Sequence, residues 1–221
     1  MQETKAANAN VKLGLAYIER EDYPRAQQKL LLALKLSPDS ANANSAMGYL
    51  LEKTGNPRKA NAYYLRAVTL SSQSGAQKNN YGAFLCRIGQ HKKAMQYLLE
   101  ATQDMQYVNV ATAYQNAGIC SEMMGDNVNS MQYFAKALQH DPKLKLALYE
   151  FVKLALKTHK EQEAINKLEK YAVRVKADAK ILALGIKVAK ASANTSLLDK
   201  YQKQLTALNK GGKHERYRVL G

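Results

Sequence analysis

A glycine that returns every 34 residues is the tightest constraint on this chain. Gly14, Gly48 and Gly82 stand 34 apart, and Gly118 follows 36 later. Other positions keep step. Ala26, Ala60 and Ala94 recur at the same interval, with Ser130 next, and so do Leu30, Tyr64, Leu98 and Phe134, and Ala33, Ala67, Ala101 and Ala137. A period of this length signals stacked supersecondary units, each too small to bury its own apolar face. The small residues let two helices approach closely, and the large ones fill the space between neighbouring pairs. Turn signals separate the helices at Glu21-Asp22-Tyr23-Pro24, Thr54-Gly55-Asn56-Pro57, Ile88-Gly89-Gln90 and Met124-Gly125-Asp126-Asn127. Gly suits a left-handed helix end, Asn or Asp caps the next start, and Pro does no harm in a first turn. With four prolines in 221 residues and an abundance of Ala, Leu and Lys, the composition favours helix throughout. The fold class is all-α.

The pattern resembles the tetratricopeptide repeat, a helix–turn–helix unit of 34 residues. That resemblance implies a right-handed solenoid of about six helix pairs. The repeats fall near 7–40, 41–74, 75–108 and 111–144, with a degenerate fifth over 145–177 and a weaker sixth over 178–209. They make one superhelical domain spanning 7–209. Residues 1–6 are expected to be a disordered stub left by a removed leader, and 210–221 a flexible basic tail. In this family the first helices of the pairs line a concave groove that takes protein segments. Positions carried over from the family place Asn42, Ser45 and Tyr49, then Asn79 and Ala83, then Gln115 and Ile119, on that groove. Such an amide-rich lining suits an extended backbone in need of hydrogen-bond partners. The Lys, Asn and Arg that clamp a C-terminal carboxylate in co-chaperone repeats are absent, since Val11, Leu15, Ala46, Ala76 and Asn80 occupy the matching region.

Charge is uneven. Lys and Arg total 33 against 18 Asp and Glu, and residues 143–221 alone hold 18 of the basic and 7 of the acidic residues. Lysines spread along helix faces read as a solvated surface, or as a surface for an acidic partner, an anionic membrane or nucleic acid. Few aromatics interleave with them, which fits single-strand stacking poorly. Catalysis finds no support. His91, His140, His159 and His214 lie in turns or in the tail with no nucleophile or carboxylate grouped beside them, and no phosphate-binding loop or metal motif is present. No cofactor, metal or small-molecule substrate is expected. Cys86 and Cys120 form no CxxC and are either two apolar core thiols or one disulfide.

The third repeat narrows the family. It reads Asn79-Asn80-Tyr81-Gly82-Ala83-Phe84-Leu85-Cys86-Arg87-Ile88-Gly89, where the general repeat explains Gly82, Leu85 and Gly89 but not the paired asparagines or Phe-Leu-Cys. This stretch is similar to the type IV pilus biogenesis and stability lipoproteins, the PilF/PilW pilotin family. So are Asn10-Val11-Lys12-Leu13-Gly14-Leu15-Ala16-Tyr17 and Leu184-Gly185-Ile186-Lys187-Val188-Ala189. The resemblance implies a non-enzymatic exported lipoprotein at the periplasmic face of the outer membrane. Its partners would be the pilus secretin subunit and, through a lipid anchor outside this chain, the inner leaflet of that membrane. It implies no nucleic acid partner. The expected binding groove then comprises Asn42, Ser45, Tyr49, Asn79, Asn80, Ala83, Phe84, Arg87, Gln115 and Ile119. An exported setting also favours the Cys86–Cys120 disulfide. Two other readings stay open: a scaffold of a different envelope assembly, and a cytosolic repeat protein that binds RNA through its basic C-terminal third.

Overall fold

The protein is described by a computed structural model that covers the backbone of residues 2–174 and 178–218 and the side chains of 4–174 and 178–209. Among those residues there are twelve helices and no strand, in six consecutive pairs of a tetratricopeptide-repeat solenoid. The helices are α1 (Gln2–Glu19), α2 (Tyr23–Leu36), α3 (Ala41–Lys53), α4 (Pro57–Leu70), α5 (Gly75–Arg87), α6 (His91–Ala101), α7 (Val110–Met123), α8 (Asn127–His140), α9 (Lys145–Lys157), α10 (Glu161–Tyr171), α11 (Ala179–Ala191) and α12 (Thr195–Arg218). Nothing between Gln2 and Lys12 breaks a helix, so α1 takes in most of the expected N-terminal stub. The backbone of α12 likewise enters the expected tail, whose last three residues, 219–221, lie outside the described residues. The chain divides into two compact units, Met1–Cys120 and Ser121–Gly221.

The glycine period has a direct steric cause. A Cβ on Gly14 would sit 2.6 Å from Leu30 Cδ2, on Gly48 3.0 Å from the Tyr64 ring, on Gly82 2.8 Å from Leu98 Cγ, and on Gly185 2.8 Å from the Tyr201 ring. Each partner lies sixteen residues further on, in the second helix of the same pair, and is almost fully buried. The rule therefore reaches the sixth pair, where the repeat is hardest to see in the sequence. A second period is carried by backbone alone. Glu21, Gly55, Gly89, Gly125, His159 and Ala193 all have positive φ, between 51° and 81°, in the turn between the helices of their pairs. Three of the six are not glycine, and so half of this signature is invisible to a search for glycines.

In the first unit the core is built from Val11, Ile18, Ala26, Leu30, Ala33, Ala43, Ala46, Met47 and Leu50. Further along, Phe84 and Leu85 are fully buried, with the Tyr64 ring 4.9 Å from that of Phe84. The two-residue expansion between repeats is the α6–α7 loop. There Asp104 accepts hydrogen bonds from the backbone N–H of Gly75 at 2.7 Å and of Gln106 at 2.9 Å. Tyr107 packs on Gly75, where any Cβ would lie 2.8 Å from the Ala101 carbonyl.

In the second unit the interior consists of Phe134, Leu138, Leu148, Val152, Leu154, Leu168 and Val188, all 0–1% exposed, with Tyr171 and Tyr201 closing it. Asp126 and Asp178 cap α8 and α11 through the N–H groups of Asn129 and of Lys180 and Ile181.

These caps predict an acid limb to stability. The N–H groups of Gly75 and Gln106 hold the Asp104 carboxyl below its ordinary range. The Asn129 side chain and backbone do the same for Asp126, and the Ile181 N–H leads the effect at Asp178. A carboxylate with a depressed folded pKa stabilises above its unfolded pKa of about 3.9 and loses that contribution as pH falls through the folded value. Urea midpoints should hold steady from neutral pH down to about 5 and then fall below about 4. In Asp104→Asn/Asp126→Asn/Asp178→Asn, which keeps the caps without the titration, that fall should be shallower.

Candidate protein-binding groove

The first helices of the pairs in unit one, α1, α3, α5 and α7, enclose a groove of about 780 Å³. Val11 and Leu15 of α1 supply its apolar end. Seven of the ten residues expected there line it: Asn42, Ser45 and Tyr49 from α3, and Asn79, Asn80, Ala83 and Arg87 from α5. The structure places the other three elsewhere. Phe84 is fully buried against Tyr64 and is packing between the second and third pairs. Gln115 and Ile119 of α7 are half-buried and do not reach the groove, which takes Thr112 and Asn116 from that helix instead. The reason is register. The face of α7 that meets α5 steps by one helical turn from Thr112 to Asn116 to Cys120, and its last member is bonded to Cys86.

The polar lining is organised as rungs between successive repeats. Gln77 Nε2 donates to Asn42 Oδ1 at 2.8 Å, Asn80 Nδ2 to Ser45 Oγ at 3.1 Å, and Asn116 Nδ2 to Asn79 Oδ1 at 2.9 Å. At the far end Arg87 grips Glu52 with two N–H groups, Nε and Nη2, the latter at 2.9 Å from Oε2. Glu52 also accepts the Tyr64 hydroxyl at 3.1 Å. Burial works against the Arg87 charge, but the hydrogen bond and charge of Glu52 outweigh it and raise its pKa. Burial and the same carboxylate push the Tyr64 hydroxyl far above the usual tyrosine range, which keeps it a neutral donor.

Asn79 and Asn80 thus bridge neighbouring helices, and this accounts for the paired asparagines. A side-chain amide has two donors and an acceptor with two lone pairs, and one rung uses only part of that capacity. Asn42 and Asn80 are exposed, so their remaining capacity faces the groove, whereas Asn79 is only 5% exposed. Sequence reasoning missed Gln77 and Asn116; their only signal is a spacing of 35–37 residues from their partners. The disulfide Cys86–Cys120, with Cα atoms 5.7 Å apart, joins α5 to α7 beside the Asn79–Asn116 rung. Among the described residues no three His, Cys, Asp or Glu side chains gather as a metal site, and no helix is long and apolar enough to cross a membrane.

Comparison with known proteins places this geometry. The tetratricopeptide repeat family matches residues 41–74, the second helix pair. PilF of Pseudomonas aeruginosa superposes with a TM-score of 0.78 at 27% identity, covering 100% of both chains. PilW, a widely conserved type IV pilus biogenesis factor, gives 0.75 at 28% identity over 97% of this chain and 98% of its own. The chain is thus similar over essentially its whole length to two type IV pilus proteins built of tetratricopeptide repeats. MamA shares the fold, with a TM-score of 0.59 at 19% identity over 80% of this chain. No curated protein matches by sequence. A groove of partly engaged amides with one apolar end is chemically suited to an extended protein segment.

Proposed function

We propose that this chain is a pilotin: a non-enzymatic protein that promotes outer-membrane targeting and multimer assembly of the type IV pilus secretin. It holds a segment of the secretin subunit in the groove of unit one. The observation that carries the reading is the amide-rung groove in a chain that matches PilF and PilW over essentially its full length. An extended segment entering the groove meets Asn42 and Asn80 for its backbone groups and Val11 and Leu15 for an apolar side chain. The protein works at the periplasmic face of the outer membrane, held by a lipid anchor outside this chain. Such an oxidising compartment also keeps Cys86 and Cys120 bonded.

The reading predicts that cells lacking the protein lose secretin multimers and surface pili while secretin monomer is still made. Restoring the wild-type gene returns both. Normal multimers in the deletion strain would reject the pilotin role and leave a scaffold elsewhere in pilus assembly.

A further inference from the structure

The second unit carries a groove of different chemistry. Between α9 and α11 lies a recess of about 630 Å³ whose floor includes Tyr149, Ile181 and Leu184. Leu146 stands at its edge, 44% exposed. Lys145, Lys180 and Lys187 surround it. Two carboxylates also line it, but both are occupied: Glu150 pairs with Lys153, and Asp178 with Lys145 at 3.6 Å and with the α11 N–H groups. Lys180 and Lys187 are exposed and have no acidic partner among the described residues. An apolar recess flanked by unpaired cations is complementary to a segment that is itself both apolar and acidic.

We propose that this recess docks an acidic amphipathic segment of a partner protein. Its apolar side chains lie against Leu146, Tyr149 and Leu184, and its carboxylates reach Lys180 and Lys187. The two lysines are seven residues, two helical turns, apart, about 10.5 Å along α11. A helix laid beside α11 with carboxylates at the same spacing meets both at once, in the helix-in-groove mode. One observation favours a protein segment over an anionic membrane. The apolar side chains are recessed rather than projecting, with Ile181 and Leu184 only 2% and 8% exposed.

The test uses the full chain and a fluorescein-labelled helical peptide of about fifteen residues, with Glu on one face and Leu on the other. Its control carries Ser for every Leu. Fluorescence anisotropy at physiological ionic strength should show saturable binding of the Leu peptide. Lys180→Glu/Lys187→Glu should weaken it by roughly tenfold or more, and Lys180→Gln/Lys187→Gln by less. Leu146→Ser should weaken it without altering salt dependence. All these positions are exposed, so thermal midpoints should not move. Equal binding of the Ser control would reduce the site to bulk charge and overturn the proposal. So would binding indifferent to the lysine variants. If phosphatidylglycerol vesicles bind through Lys180 and Lys187 while the Leu peptide does not, the surface is a membrane contact instead.

Discussion

Phe84→Ala should cost about 3–5 kcal/mol of stability, as expected for emptying a fully enclosed aromatic site. The ring is 0% exposed, lies 4.9 Å from Tyr64 and stacks at 6.4 Å on Tyr81. It therefore ties α4 to α5, and the cavity left behind would be bordered by rings already fixed by other contacts. Tyr64 is held by Glu52 and Tyr81 by Asn61, so neither can collapse into the space without breaking a hydrogen bond. Because repeat proteins can unfold in parts, amide exchange is the better readout. Protection should fall first in α4 and α5, and Phe84→Leu should recover most of it. If Phe84→Ala leaves exchange unchanged and weakens partner binding alone, then the residue belongs to the groove after all.

The second large effect concerns the Cys86–Cys120 bond. It closes a loop of 34 residues, for which loop-closure entropy gives about 3–4 kcal/mol. Cys86→Ala/Cys120→Ala is the suitable variant, because both sites are buried and apolar, at 3% and 0% exposure. Unreduced protein should show no free thiol, and its thermal midpoint should fall on adding reductant. The midpoint of the double variant should be lower and indifferent to reductant. The loss should also reach the groove, since the bond joins the helices that carry Asn79 and Asn116. Two free thiols in protein purified from an oxidising compartment would contradict the pairing.

Much of the fold was legible because its cause is steric and local. Gly14, Gly48 and Gly82 must be small to admit Leu30, Tyr64 and Leu98, and both members of each pair recur at fixed spacing. The later repeats were harder to read for an equally physical reason. Val152 stands where a fifth glycine would fall, and His159 and Ala193 adopt a left-handed turn that the sequence does not advertise. The groove was only partly legible. Helix α5 buries Gln77, Asn79, Tyr81, Gly82, Phe84, Leu85 and Cys86, so it has contacts on nearly every side and no simple polar face. Asn79 and Phe84 look equally plausible as lining residues in such a stretch. Only the rung to Asn116 and the ring of Tyr64 tell them apart. On α7 the register depends on how the 102–109 loop folds back through Asp104 and Tyr107, a tertiary contact to Gly75 that no spacing rule supplies.

We propose that the groove of unit one holds the secretin. Co-purification of secretin from envelope extract, using the wild-type chain and Asn80→Arg/Ala83→Arg, tests it most directly. Both positions open onto the groove and neither is in the core, so the variant should fold normally while filling the site with two long cations. Wild type should recover secretin, and the variant should lose at least about tenfold of it while its thermal midpoint falls only by the little that loss of the Asn80–Ser45 rung requires. Equal recovery by the two proteins would move the site off this groove, and recovery of nucleic acid alone, released by salt, would contradict the pilotin reading itself.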